Sequence, residues 1–370
     1  MPIEFIGYIG NHNASETIKR SGSIIDRNHI AAAAAIHENG GFDRVLLAFH
    51  STSPESILVA QHVTERTRRL KLMVAHRPGF TAPTLAARQF ATLDHLSDGR
   101  IAVHIITGGN DQELAQDGDQ LTKEERYART SEYLDILRQE WTSAKPFDYE
   151  GKFYRVTGAF SEVKPQGPDG IPVYFGGSSD AAIAVAGKHA DIYALWGETL
   201  AQVAETIRRV RAAAAPYGRS PRFSLSLRPI LADTEEEAWA KADRILERAK
   251  ALHASGERLI RGNAAGQQPA NEGSRRLLAA ATQGKRLDKR LWTEIAALTG
   301  ASGNSTSLVG TPDQVAEAML DYYDLGVTTF LIRGFDPLED AFHYGRDLIP
   351  RVRALVAKRE SGTRRVQAAE

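Results

Sequence analysis

"IPVYFGGSSDAAIAVAGKHA" (171–190) is the stretch on which the reading of this chain turns. A short apolar run with aromatic residues reads as a strand. Two glycines and two serines follow, then an alanine-rich stretch of helical pattern. A strand that turns through Gly-Gly-Ser-Ser into a helix presents unpaired backbone N–H groups and the positive end of the helix dipole, so the turn reads as an anion cradle. What fold surrounds it depends on what the rest of the chain repeats.

Strand-like runs recur at 3–10, 44–50, 70–76, 100–107, 171–177, 191–197, 223–232 and 328–335, most of them nearly continuous in apolar residues. Such runs suit strands buried on both faces of a parallel sheet. Helical patterns lie between them. "DRNHIAAAAAIHENGG" opens on Asp26 as a cap and closes on glycine, and "SPESILVAQHVTERT" offers Ser53 as a cap with Pro54 at the first helical position. Eight alternations of strand and helix predict an α/β fold of the (β/α)₈ TIM-barrel type with insertions. An open doubly wound sheet would carry a glycine-rich turn after its first strand, where this chain has "NHNASET" (11–17). The barrel is expected to form a single domain over 1–360. It is interrupted by a helix and hairpin at about 110–168, with a Glu-Gly turn at 150–151, and by a polar, glycine-rich lid at about 252–305. The tail, 361–370, reads as flexible or as reaching a neighbouring subunit.

Composition narrows the function. Lys plus Arg and Asp plus Glu both number 46, so nothing in the charge points to nucleic acid or to an anionic membrane. There is no cysteine, which excludes disulfides, thiolate metal sites and cysteine nucleophiles. No run reaches the length of a membrane helix and "MPIEFIGYIGNHN" lacks a signal-peptide core, so a cytoplasmic location is expected. No metal site is expected, and neither a G-x-S-x-G elbow nor a Walker loop is present.

Barrel active sites collect at the C-terminal ends of the strands. Those ends supply Asn11 and His12, His50, His76 and Arg77, Thr107 and Asn110, Gly176 through Ser179, Trp196, Arg228, and finally Arg333, Phe335 and Asp336. A glycine loop, aromatic groups and three arginines suit a flat anionic cofactor and an anionic substrate.

Five stretches taken together, "AHRPGFTAPTLAARQFATLDHLSDGR" (75–100), "ITGGNDQELAQDGDQLTKEERYART" (106–130), "YFGGSSDAA" (174–182), "ALWGE" (194–198) and "SLVGTPDQVAEAM" (307–319), resemble the bacterial luciferase-like flavin monooxygenases, with the alkanesulfonate monooxygenase branch the best match. The resemblance runs over nearly the whole chain in order. It implies a two-component enzyme in which an NAD(P)H-dependent flavin reductase supplies reduced FMN (FMNH₂). The oxygenase would react it with O₂ and, in the sulfonate branch, release sulfite and an aldehyde. It also implies a homodimer or homotetramer.

Carried over residue by residue, the resemblance assigns the FMN phosphate to Gly176, Gly177, Ser178, Ser179 and the hydroxyl of Tyr127. It assigns the flavin ring and ribityl chain to His76 and Thr107. Trp196 would shape the space near flavin and substrate. His12 would contact substrate or assist protonation, with Asn11 beside it. The chain departs from the sulfonate branch at Ser53 (a cysteine there), at Ser226 and Arg228 (an R-x-H pair there), at Phe335 (a tyrosine there), at Arg333 (a small residue there) and at Thr299 (a loop arginine there). Arg228 and Arg333 on neighbouring strands are expected to clamp a sulfonate, the alternative being that each pairs with an acid such as Asp336. Asn11, His50 and Asn110 suit a hydroxylated substrate, of which a sugar sulfonate such as sulfoquinovose is one. The alternatives are oxygenation of a sulfone, amine or long-chain compound, deazaflavin-dependent hydride transfer, and a non-catalytic flavin binder.

Overall fold

The computed structural model describes residues 3–167, 170–256, 269, 271–301, 303 and 305–367. Eight strands lie where the apolar runs placed them: β1 (Glu4–Tyr8), β2 (Arg44–Leu47), β3 (Lys71–His76), β4 (Ile101–Ile105), β5 (Val173–Gly176), β6 (Ile192–Trp196), β7 (Arg222–Leu227) and β8 (Val327–Ile332). Each pairs with its neighbours in sequence and β8 pairs with β1, so the sheet closes into a barrel with helices between the strands. This is the expected (β/α)₈ barrel. Closure leaves no unpaired edge. By packing, the chain divides into two compact units, Val45–Ala194 with Thr206–Arg222, and Met1–Arg44 with Leu195–Glu205 and Phe223–Glu370. No helix among the described residues is long and apolar enough to cross a membrane.

Side chains alternate between the two faces of a strand, and a few contacts set the phase. In the first unit named, the His76 ring meets the edge of Phe90, on the helix Pro83–Leu96, at 5.2 Å. Its Nε2 lies 2.6 Å from the Tyr133 hydroxyl, on the helix Lys123–Thr142. His76 therefore faces the helices, and Ala75 faces inward. The register pairs Ala75 with His104 and His104 with Tyr174, so these two also face inward. In the other unit, Phe5 lies under Arg353 of the C-terminal helix Ile349–Gln367, which turns Ile6 and Tyr8 inward. Ile6 pairs with Leu331, and Leu331 with Ser226. Two residues further along each strand stand Arg333 and Arg228, on the inner face by the same alternation.

Local signals explain the helix ends, with one correction. Asp26 caps Arg27–Asn39 by accepting from the N–H groups of Asn28 and His29, both at 3.0 Å. The helix after β2 begins at Ser56 with Glu55 as its cap, not at Pro54 with Ser53. The Ser53 hydroxyl is engaged one turn earlier, where it accepts from the His50 N–H at 2.9 Å and closes that turn.

The segment 110–168 contains the helix Lys123–Thr142 and a strand pair. Phe147–Glu150 pairs antiparallel with Arg155–Ala159. The carboxylate of Glu132 caps its turn by accepting from the N–H groups of Lys152, Phe153 and Tyr154. Of the expected lid, 257–268 and 270 lie outside the described residues, as do 302 and 304. The described part is built, not open loop. Helices Glu272–Ala281 and Glu294–Thr299 flank the strand pair Arg286–Leu287 and Leu291–Trp292. Trp292 and Ile295 bury themselves with Ile230, Ala242, Ile245 and Val309. The last helix runs through Gln367, into the segment expected as a tail.

Gly7 shows how tightly the strands carry their helices. A Cβ there would lie 2.0 Å from Cδ2 of His37, which is itself fully packed. Gly7→Ala is expected to cost about 2 kcal/mol through overpacking, read as a lowered urea midpoint with an unchanged slope.

Candidate active site

The turn after β5 is shaped by close approaches. A Cβ on Gly176 would lie 2.7 Å from the Ala194 carbonyl oxygen. Gly177 has φ of 132° and a Cβ there would lie 2.8 Å from the Ala182 Cβ. Both positions admit only glycine. Ser179 caps the helix Asp180–His189 by accepting from the Ala182 N–H at 3.3 Å. The first N–H groups of that helix have no partner within it. The Tyr193 hydroxyl donates to the Gly177 carbonyl, and Arg209 pairs with Asp180 at 2.7 Å. Tyr127 is buried with its hydroxyl 3.2 Å from where a Gly177 Cβ would be. Burial raises its pKa and a hydrogen bond to Ser179 opposes that shift, so the phenol is protonated and able to donate. Backbone N–H groups, the Ser179 hydroxyl and the Tyr127 phenol thus stand at a turn that has no room for a side chain on either glycine. That donor set fits a phosphate.

His76 and Thr107 stand elsewhere. His76 is wedged between Phe90 and Tyr133, and burial pushes it down to about 4, so it is neutral. Thr107 is buried with its hydroxyl 3.2 Å from that of Thr130 on the neighbouring helix. Both fasten strand ends to the helix layer. The His76 ring meets Tyr133 and the Thr107 hydroxyl meets Thr130, both on the helix Lys123–Thr142.

The residue after His76 takes a different course. Arg77 is buried between the rings of Phe49 (5.1 Å) and Phe80 (5.7 Å). It pairs with Glu113 at 2.7 Å and donates to the Ser51 hydroxyl at 3.0 Å. Glu113 also accepts from the Ser51 N–H at 3.2 Å and lies 3.5 Å from His50 Nε2. Asn110 caps the short helix that carries Glu113, accepting from the Glu113 N–H at 3.1 Å. His50 and Asn110, read as separate polar ends, are thus tied together through Glu113.

In the other unit, Arg228 is fully buried. It pairs with Glu16 at 2.7 Å, donates to the Gly334 carbonyl at 2.8 Å and lies 3.7 Å over the Phe335 ring. Arg333 donates to the other oxygen of Glu16 at 3.0 Å and lies over Tyr8 at 5.4 Å, with its side chain 26% exposed. Burial works against the Glu16 charge, but the two guanidiniums outweigh it and hold its pKa down at about 2. The arginines do pair with an acid, which is Glu16 and not Asp336. Of the two guanidiniums, that of Arg228 is fully buried and that of Arg333 is partly open. Nearby, the His12 Nδ1 donates to the Ile24 carbonyl at 3.0 Å, which leaves Nε2 as an acceptor. The Asn11 carbonyl accepts from the Asp26 N–H at 2.8 Å.

Trp196 ends β6 and packs against Leu277, Ala296 and Ala301. Its ring lies 3.0 Å from where a Gly273 Cβ would be. Two residues on, buried Glu198 receives a two-point bond from Arg276 of the helix Glu272–Ala281, at 2.9 and 2.9 Å. Burial raises the Glu198 pKa and Arg276 opposes that shift.

A closed (β/α)₈ barrel with a phosphate-type cradle after its fifth strand defines a class of cofactor-binding barrel enzymes. The family profile described as luciferase-like monooxygenase matches residues 3–329. The chain belongs to this family, and with it to the flavin-dependent monooxygenases. Solved structures of similar fold include a riboflavin lyase with modified FMN and substrate riboflavin, with TM-score 0.78, 19% identity, and 96% of this chain and 92% of that one covered. Another is the EDTA monooxygenase of Chelativorans sp. BNC1, with TM-score 0.74, 21% identity, and coverage of 96% and 94%. A third is an F420-dependent secondary alcohol dehydrogenase in complex with an F420-acetone adduct, with TM-score 0.69, 18% identity, and coverage of 95% and 99%.

Glu16, Glu113 and the Glu198–Arg276 pair were not singled out from the sequence. The available signal for Glu16 was the pair of inward arginines, which require a carboxylate if they are buried.

Glu16→Gln is expected to destabilise the protein by about 3 kcal/mol at pH 7, because it leaves buried guanidiniums without their counter-charge. A carboxylate with a lowered pKa stabilises the fold above its unfolded value near 4.5 and loses that contribution as pH falls toward about 2. The gap between wild type and variant should therefore narrow over that window, in chemical denaturation followed against pH. Replacing Ser178 and Ser179 together by Ala should weaken FMN binding about tenfold by fluorescence titration, and loss of the Ser179 cap should cost about 1 kcal/mol of stability.

Proposed function

We propose that this chain is an FMNH₂-dependent monooxygenase that cleaves the C–S bond of an organosulfonate. The balanced reaction is R-CH₂-SO₃⁻ + FMNH₂ + O₂ → R-CHO + SO₃²⁻ + H⁺ + FMN + H₂O. Reduced FMN, when bound, would supply two of the four electrons that O₂ takes up, the oxidised substrate supplying the other two. The observations that carry the reading are two anion sites of different kinds, one in each compact unit. One is a backbone-and-hydroxyl cradle at 176–179 with Tyr127, suited to a cofactor phosphate. The other is the open guanidinium of Arg333, suited to a substrate anion.

In this reading the Gly176–Ser179 turn and Tyr127 hold the flavin by its phosphate. Arg333 orients the sulfonate through charge-assisted hydrogen bonds. Arg228 and Glu16 fix the position of Arg333. His12 offers Nε2 to the proton that leaves carbon as the C–S bond breaks. Trp196, under the helix Glu272–Ala281, keeps water from the reacting atoms. Asn11 and the half-exposed His50 favour a hydroxylated sulfonate, of which a sugar sulfonate such as sulfoquinovose is our preferred case. The sequence has no G-x-G-x-x-G fingerprint, which agrees with a separate NAD(P)H-dependent flavin reductase as partner. A homodimer or homotetramer is the proposed assembly.

The test is a coupled assay with a flavin reductase, NADH, FMN and a panel of methane-, octane- and sugar sulfonates, reading sulfite. Sulfite from at least one member, highest for a hydroxylated one, is expected. No sulfite from any member overturns the reading.

A further inference from the structure

Two arginines side by side on neighbouring strands would suit a doubly charged ligand. The charge count at this end of β7 and β8 is different. Glu16 comes from the loop after β1 and gives one oxygen to each arginine, at 2.7 Å to Arg228 and 3.0 Å to Arg333. The trio therefore carries one net positive charge. The two guanidiniums are also unequal. Arg228 is fully buried and committed to Glu16, the Gly334 carbonyl and the Phe335 ring. Arg333 gives Glu16 its Nη2 alone, keeps 26% of its side chain open, and finds no other side-chain hydrogen bond among the described residues.

We propose that Glu16 is a specificity residue: it sets this end of the barrel to accept a singly charged oxyanion, such as a sulfonate, over a doubly charged phosphate ester. The inference rests on the reading that the substrate anion lies against Arg333. A monoanion there brings the trio to neutrality. A dianion leaves a surplus negative charge a few ångströms from the buried Glu16 carboxylate, where water screens poorly. Sulfonates stay singly charged through the neutral range, whereas phosphate monoesters pass to the doubly charged form near pH 6. Glu16 thus separates two ligands of nearly the same shape by charge alone.

The experiment measures binding of octanesulfonate and octyl phosphate to the full chain by calorimetry between pH 5 and 8. Titration of the protein itself moves both curves, so the ratio of the two affinities reports the ligand's charge. The ratio should rise in favour of octanesulfonate as pH passes 6, reaching at least tenfold at pH 8. In Glu16→Gln, which takes the net charge to two, that ratio should fall at least tenfold. In Arg333→Gln, which retains the Glu16–Arg228 pair, octanesulfonate should bind at least tenfold more weakly. Equal affinities for wild type at pH 8, failure of both ligands to bind, or an unchanged ratio in folded Glu16→Gln overturns the proposal. Wild-type sulfonate binding in Arg333→Gln does so as well. If Glu16→Gln does not fold, the wild-type pH series and Arg333→Gln decide. Charge-selective binding without sulfite release from any sulfonate would overturn the oxygenase reading and leave this one standing. Sulfite release without charge selectivity would do the reverse.

Discussion

A strand in a closed parallel barrel has two faces and no third option. Every side chain is turned either toward the helices or toward the barrel interior, and the phase is set by the few residues that must meet a helix. His76 against Phe90 and Tyr133 sets it for β3, and by register for β4. Phe5 under Arg353 sets it for β1, and by register for β8 and β7. A shift of one residue would exchange the two faces completely. This alternation decides which polar strand ends can meet a ligand and which only brace the scaffold.

The second constraint is the cost of burying charge. Arginines near the inner face are tolerated only where a carboxylate reaches them. The chain meets that need with acids from loops and short helices rather than from the strands. Glu16 follows β1 and serves Arg228 and Arg333. Glu113 follows β4 and serves Arg77, while gathering Ser51 and His50. In the insertion after β7, Arg276 reaches back to Glu198. Each pair holds a loop to a strand end, so the groups proposed to bind ligands rest on fixed supports. The turn at 176–179 achieves the same with no charge, because neither Gly176 nor Gly177 has room for a side chain.

Much of this was legible in the sequence. Eight apolar runs alternating with helical patterns specify the barrel, because parallel strands buried on both faces need no polar alternation. The Gly-Gly-Ser-Ser turn was equally plain, since a strand, a tight turn and a helix follow one another within 173–189. The direction of each strand-end side chain was not legible. His76 and Thr107 sit at strand ends exactly as Arg77 does, and only tertiary contacts tell that they face the helices. The partner of Arg228 and Arg333 was hidden for a similar reason. Glu16 stands more than 200 residues away in sequence, and nothing local marks a loop glutamate as buried. The segment at 271–301 read as a polar, glycine-rich lid because its elements are short and polar, yet Trp292 and Ile295 are buried with Ile230 and Val309, and Leu277 with Ala296 and Ala301.

The account stands or falls on the cofactor's anchor. A crystal structure of the chain with FMN tests it most directly. The account predicts the phosphate within hydrogen-bond distance of the backbone at Gly177–Ser179 and of the Tyr127 hydroxyl. A phosphate seated anywhere else, or an FMN that leaves this turn empty, would contradict it.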